Sequence, residues 1–241
     1  MQLNLPKNSN ISISPIKSFS DNYIWLIEIN NNAVLIDPGD HKPAIKILKE
    51  KKLNLKAILV THKHFDHIGG ISSLVSYYPK VDIYAPPNNY NFNFIEVKDG
   101  DLIDLNELNL SFLVIETPGH TLDHVAYLDQ EHLFCGDTLF ACGCGRVFEG
   151  TYEQMYQSLM KISSLPEKIK VYCAHEYTMD NIEFALTEDK TNEALLQRKE
   201  KLKNLSITLP STIKEELETN PFLRAKNQLD FKKIRIKKDA Y

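Results

Sequence analysis

The sequence predicts an α/β region followed by a helical C-terminal stretch, on three observations. Up to about Cys173, short apolar runs alternate with helix-like segments; after His175 strand signals nearly vanish; and several apolar runs end directly in a histidine or an aspartate. Alternating strands and helices bury their apolar faces as stacked layers, with the loops at the sheet edges free to carry chemistry.

The elements follow in order. Residues 11–16, 23–29 and 33–36 are runs rich in isoleucine, valine and leucine that predict strands, and 41–52 predicts a helix. Lys56-Ala57-Ile58-Leu59-Val60 is an apolar run bounded by polar residues, the pattern of a buried strand, and Thr61-His62-Lys63-His64-Phe65-Asp66-His67 lies just past its end. Residues 68–78 then have helical apolar spacing, so these ligand candidates are expected on a tight strand-to-helix turn. The same local order recurs downstream. Residues 110–116 deliver Thr117-Pro118-Gly119-His120, 132–135 deliver Gly136-Asp137-Thr138, and 170–173 deliver Ala174-His175. Thr151-Tyr152-Glu153-Gln154 has the form of a capping box and starts a helix to about Ile162. Residues 177–186, 192–205, 211–218 and the last dozen predict helices, with Pro166, Pro210 and Pro221 as breakers. The expected division is 1–173 and 174–241, with His175 still serving the first part.

Composition narrows the function classes. A chain of 241 residues with 43% hydrophobic residues buries a substantial core. A net charge of −4 gives no reason to expect nucleic acid or an anionic membrane as partner. No charged leader precedes an apolar stretch at Met1-Gln2-Leu3-Asn4-Leu5, and no apolar run approaches membrane-spanning length, so a soluble cytoplasmic monomer is expected. Cys135 and Cys173 read as small hydrophobes beside ligand positions, and the two sulfurs of Cys142 and Cys144 do not complete a metal site.

His62, His64, Asp66, His67, His120, Asp137 and His175 form a metal-site pattern. His62 and His64 can point one way and Asp66 and His67 another, which divides the loop between two neighbouring metals. Imidazole and carboxylate suit zinc, iron(II) or manganese, and the absence of cysteine from the set argues for an open, catalytic site. His124 is expected behind the site or in the core, His41 and His132 at the surface or in turns, and Asp37 capping or orienting a loop.

This ligand order resembles the metallo-β-lactamase superfamily. Cys135-Gly136-Asp137-Thr138-Leu139-Phe140, Gly143-Cys144-Gly145-Arg146 and Glu149-Gly150-Thr151 further resemble the glyoxalase II family, the hydroxyacylglutathione hydrolases. The likeness runs from Asp21-Asn22-Tyr23 and Asp37-Pro38-Gly39 to Arg235-Ile236-Lys237-Lys238-Asp239. It implies an αββα sandwich of two facing mixed sheets followed by a helical C-terminal domain. It also implies two divalent ions, zinc foremost with iron or manganese as alternatives: one on His62, His64 and His120, the other on Asp66, His67 and His175, bridged by Asp137. The implied reaction is hydrolysis of S-(2-hydroxyacyl)glutathione, S-D-lactoylglutathione above all, by a hydroxide held between the ions, with Asp66 and Asp137 as the catalytic carboxylates. The implied glutathione contacts are Arg146, Tyr177, Arg235 and Lys238. By themselves the lysines and arginine of 232–238 read as a solvated basic helix; their Arg-x-x-Lys-Asp register beside the catalytic segments turns the reading toward substrate. Phe148 departs from the animal-type pattern, where a tyrosine can occur. Other readings compete, a different thioester or ester hydrolase of the same fold among them. A persulfide dioxygenase with mononuclear iron would not need the second ligand set, a ribonuclease would need a basic groove, and a scaffold would be expected to lose a ligand.

Overall fold

The structure, a computed structural model, describes residues 11–241, so the expectation about Met1-Gln2-Leu3-Asn4-Leu5 lies outside the described residues. The first sheet has the order β1 (Ile11–Ser18), β2 (Asn22–Ile29), β3 (Asn32–Ile36), β4 (Asn54–Leu59), β5 (Asp82–Ala85) and β6 (Ile95–Glu96). Tight turns make β1, β2 and β3 antiparallel, whereas β3 to β6 run parallel. Parallel pairing requires crossovers, supplied by α1 (His41–Glu50) after β3 and by α2 (Phe65–Ile68) and α3 (Ile71–Tyr77) after β4. Side chains alternate across β2: Tyr23, Trp25, Ile27 and Ile29 join the core shared with the second sheet, while Ile24 and Leu26 pack with Ala44, Leu48, Ile71 and Leu74 beneath α1 and α3. A strand covered on both faces reads as one continuous apolar run, and β2 does from Tyr23 to Ile27.

The second sheet begins with β7 (Leu102–Leu105), β8 (Leu110–Glu116), β9 (Val125–Leu128) and β10 (His132–Gly136). A small hairpin, β11 (Leu139–Phe140) and β12 (Gly143–Cys144), then leads to α4 (Tyr152–Ser163) and β13 (Lys170–Cys173). The capping box at Thr151 is present in both directions: Thr151 Oγ1 accepts from Gln154 N at 3.1 Å, and Gln154 Oε1 from Thr151 N at 2.8 Å. α5 (Thr178–Glu188), α6 (Glu193–Leu202), β14 (Ser211–Thr212), α7 (Ile213–Thr219) and α8 (Gln228–Asp239) complete the chain, and the sheet order is β14-β13-β10-β9-β8-β7.

Two expectations change. Ser211 and Thr212 do not open a helix; they pair antiparallel with β13 as β14, and Thr212 caps α7 by accepting from Glu215 N at 3.1 Å. The helix expected over 68–78 is two: Gly70 N donates to Pro38 O at 3.0 Å instead of continuing α2, so Asp66 and His67 ride on a helical turn rather than in the loop. β5, β6, β7, β9 and the hairpin are further short strands of two to four residues, lengths at which a period is barely displayed.

Contacts between the sheets converge at the ligand-bearing strand ends. Tyr127 Oη donates to Val60 O at 2.6 Å, Val125 N to Thr61 O at 2.9 Å, Trp25 Nε1 to Cys173 O at 2.9 Å and Tyr23 N to Ala174 O at 2.7 Å. Leu35 is fully buried in the layer beneath α1, and Leu35→Ala is expected to cost about 2–5 kcal/mol in urea unfolding of the full chain. A cost under about 1 kcal/mol would show that this layer collapses around the cavity.

Candidate metal centre

Asp37, just past β3, organises the first ligand loop. Its Oδ1 accepts from Thr61 N at 2.7 Å, and its Oδ2 accepts from Thr61 Oγ1 at 2.7 Å and from the ring Nδ1–H of His67 at 2.9 Å. One carboxylate thus orients the loop, as expected, and also fixes the His67 tautomer with Nε2 free to face the site. Gly136 ends β10 at φ +47°, and a Cβ there would lie 2.4 Å from Thr61 Oγ1. The turn that presents Asp137 therefore admits no side chain at position 136.

All seven residues singled out as ligand candidates come together. Their donor atoms form three groups, His62/His64/His120, His62/His67/Asp137 and Asp66/His67/His175, with atoms in each group within 4.8 Å of one another. His120 Nδ1 donates to Arg146 O at 2.9 Å and His175 Nδ1 to Asp21 Oδ1 at 2.7 Å. Both rings therefore turn Nε2 inward, a lone pair when the ring is neutral, 3.4 Å from Asp137 Oδ2 and from Asp137 Oδ1 respectively. Lone pairs facing lone pairs in a buried place call for cations. Among the described residues, buried His67 Nε2 and Asp137 Oδ1 have no hydrogen-bond partner, and they lie 3.5 Å apart. The donor set fits divalent metal ions, with one Asp137 oxygen facing each half of the cluster.

Two supporting residues escaped sequence reasoning. Asp21 holds His175, and Asn22 Nδ2 donates to Asp66 Oδ2 at 2.8 Å. Their segment was visible as a motif, but nothing local ties it to a histidine 154 positions away. His124, expected behind the site or in the core, is buried behind the site: Nε2 accepts from Asp137 N at 3.1 Å, Nδ1 faces Thr117 Oγ1 at 2.9 Å, and the ring stacks on His62. His41 begins α1 beside Asp40, and His132 closes a turn against the Asp129 carboxylate.

A cavity of about 450 Å³ opens on the cluster and is lined also by Arg146, Tyr177, Arg235, Lys238 and Phe148. The four substrate candidates thus share one cavity with the metal-site residues. Tyr177 stacks on the His175 ring at 4.8 Å and 7°, and Phe148 lies exposed beside His120, ring centroids 5.2 Å apart. Arg235 is only 3% exposed: Nη1 donates to Cys144 O at 2.7 Å, Nη2 pairs with Asp239 at 2.9 Å, and the guanidinium lies over Phe222. Burial pushes the Cys142 and Cys144 thiols up, to about 12 and about 11, and their sulfurs pair with Thr219 Oγ1 and Arg235.

Residues 19–175 match the model of the metallo-beta-lactamase superfamily, and residues 176–241 match that of the hydroxyacylglutathione hydrolase C-terminus. The hydroxyacylglutathione hydrolase of Aliivibrio fischeri is 48% identical over 220 residues, which cover 89% of this chain and 86% of that protein. The chain belongs to the hydroxyacylglutathione hydrolase family. The family's protein from Nitrosomonas eutropha is 47% identical over 219 residues, 89% of this chain and 86% of its own. Among solved structures, ETHE1 from Myxococcus xanthus is similar at TM-score 0.72 and 28% identity, covering 94% of this chain and 89% of that one. The BLEG-1 B3 metallo-beta-lactamase shares the fold at TM-score 0.66 and 24% identity, over 88% of this chain and 99% of its own. The expected αββα architecture with a helical C-terminal part therefore holds for this member of the family.

Electrostatics divide the family site in two. Burial, reinforced by repulsion from His67, holds His62 well below the ordinary histidine value, and burial also lowers His120. For His67 and His175 burial acts the same way, but the Asp137 carboxylate outweighs it and raises both. Burial pushes Asp137 up, and the charges of His67 and His175 outweigh it and hold the carboxyl well below its usual range. A raised group holds its proton to higher pH, so, compared with the half of the cluster with His62 and His120, the half with His67 and His175 has more proton to displace on taking up a metal ion. Metal affinity of that half should rise with pH, and loading should release protons, visible as buffer-dependent heats in titration calorimetry. Loading without proton release would contradict this assignment. Asp37→Ala, which frees the His67 ring, should weaken metal retention by about 10–100-fold in chelator competition.

Proposed function

We propose that this chain is a glutathione thioester hydrolase that acts on S-(2-hydroxyacyl)glutathiones, with S-D-lactoylglutathione as its main substrate, as a cytoplasmic monomer. The observation that carries the reading is a single cavity lined by five members of the cluster, His64, Asp66, His120, Asp137 and His175, together with Arg146, Tyr177 and Lys238. The 48% identical hydroxyacylglutathione hydrolase supports it. His62, His64 and His120 would hold one divalent ion and Asp66, His67 and His175 a second, with Asp137 shared, zinc being the proposed metal and iron or manganese the alternatives. When bound, such a pair polarises an acyl carbonyl and acidifies a water enough to make it a nucleophile near neutral pH.

The chain's own residues supply the rest. Asp66 and Asp137 face the cavity and orient the attacking water, Asp66 being steadied by Asn22. A thiolate whose thiol titrates at about 8–9 leaves without a general acid. Glutathione carries two carboxylates, complemented by exposed Arg146 and half-buried Lys238. Burial raises the Tyr177 phenol, so it stays a hydrogen-bond donor. Arg235 adds positive charge and shapes the wall while its guanidinium serves Cys144 O and Asp239.

Metal-depleted protein should not turn over S-D-lactoylglutathione, and full activity without metal would end the proposal. Asp137→Ala should strip both ions, and His120→Ala mainly one. Replacing the cysteines singly should leave substantial turnover, and a trapped acyl-cysteine would contradict water as nucleophile. Lys238→Ala should raise KM about tenfold for glutathione thioesters with a small change in kcat, since a charged contact remote from the scissile bond is worth about 1–3 kcal/mol equally in ground and transition states. An uncharged thioester should be unaffected by it; equal losses on both substrates would remove Lys238 from the glutathione site. Arg235→Ala is a poorer probe, because it also unties α8 from β12.

A further inference from the structure

The β11–β12 hairpin is a ladder of only two residue pairs, and its turn is bonded by side chains of the C-terminal helices. Asn220 Nδ2 donates to Phe140 O at 3.1 Å and Gly143 O at 2.9 Å, Asn181 Nδ2 to Ala141 O at 3.0 Å, and Arg235 Nη1 to Cys144 O at 2.7 Å. The amide of Cys142 donates to Glu216 Oε2 at 2.8 Å. Asn220 is fully buried, and its Oδ1 accepts from Phe222 N at 3.0 Å, which commits Nδ2 to the hairpin. A flipped amide would set its oxygen against two carbonyls and the Glu216 carboxylate.

The far end of the hairpin meets two ligand candidates. Gly145 N donates to Thr138 O at 3.2 Å, and a Cβ on Gly145 would come within 1.9 Å of Asp137 O and 3.2 Å of His120 Nδ1. One residue later, Arg146 O accepts the Nδ1–H of His120 at 2.9 Å. The placement of the hairpin therefore decides where the acceptor behind His120 sits.

We propose that Asn220 is a positioning residue for the reaction: by fixing the hairpin it places the Arg146 carbonyl that orients His120, so the C-terminal helices set the geometry of the metal centre as well as walling the cavity. This rests on His120 and Asp137 being metal ligands. A coupling of this kind is reciprocal, so metal binding must in turn order the hairpin and its C-terminal partners.

Two measurements test it on the full chain. Asn220→Ala should lose one of two zinc ions at least tenfold more readily to a chelator, with kcat falling more than KM rises. A folded variant with wild-type zinc retention and kinetics overturns the proposal. Should the variant not fold, hydrogen exchange of the unaltered protein with and without added zinc decides. Zinc is expected to slow exchange at least tenfold in residues 140–146 and 216–222 as well as in the ligand loops 61–67 and 117–124. Protection confined to those loops overturns the positioning role, whereas no protection in the loops themselves means that the ligand assignment has failed instead.

Discussion

Five imidazoles and two carboxylates held within a few ångströms oppose one another unless each is fixed from behind and a cation lies in front. Several residues that line up behind the cluster meet that requirement. The Asp37 carboxylate holds His67, Asp21 holds His175, and the Arg146 carbonyl holds His120. Each of these acceptors commits the outer ring nitrogen to its proton and so leaves the inner one as a lone pair. In a buried place such hydrogen bonds are electrostatically stronger than in water, and losing one leaves the ring free to turn away.

Two stacked sheets suit this task because their strand ends do not move independently. Tyr127 ties the second sheet to Val60 immediately before the first ligand loop, and Trp25 ties the first sheet to Cys173 immediately before His175. The core shared by the sheets is continuous from Trp25 and Ile27 through Phe112, Tyr127 and Phe134. A close-packed interior of this kind transmits little slack, so ligands from four separate strand ends keep one geometry.

The C-terminal helices do more than close the cavity. Buried Arg198 and Glu216 pair at 2.7 Å, and Glu216 also receives the Cys142 amide and Asn220, so a charged group with no exposure is fully engaged. A buried pair of this type stabilises little by itself and is valuable where it enforces one arrangement. Arg235 acts in the same way, carrying a charge to the cavity wall while bonding the backbone that leads back to the metal-site residues. The cavity wall and the hairpin beside the metal-site candidates thus share a single set of side chains.

The sequence alone singled out the ligand candidates, the strands that deliver them and the capping box of α4, because each local piece is written in residues a few positions apart. His62 and His67 sit five residues from one another, and Thr151 and Gln154 three, so spacing shows their partnership directly. Family likeness extended this to the sandwich and to the residues of the cavity. Tertiary structure decided the rest: that Asp21 stands behind His175, that Asp37 serves His67 as well as Thr61, that Ser211 and Thr212 join the second sheet, and that Arg235 is buried. These partners lie 24 to 154 positions apart, and β14 is in addition too brief to show a period. Their pairing depends on how strands register and sheets stack, a property of the assembled core that no local run of residues displays.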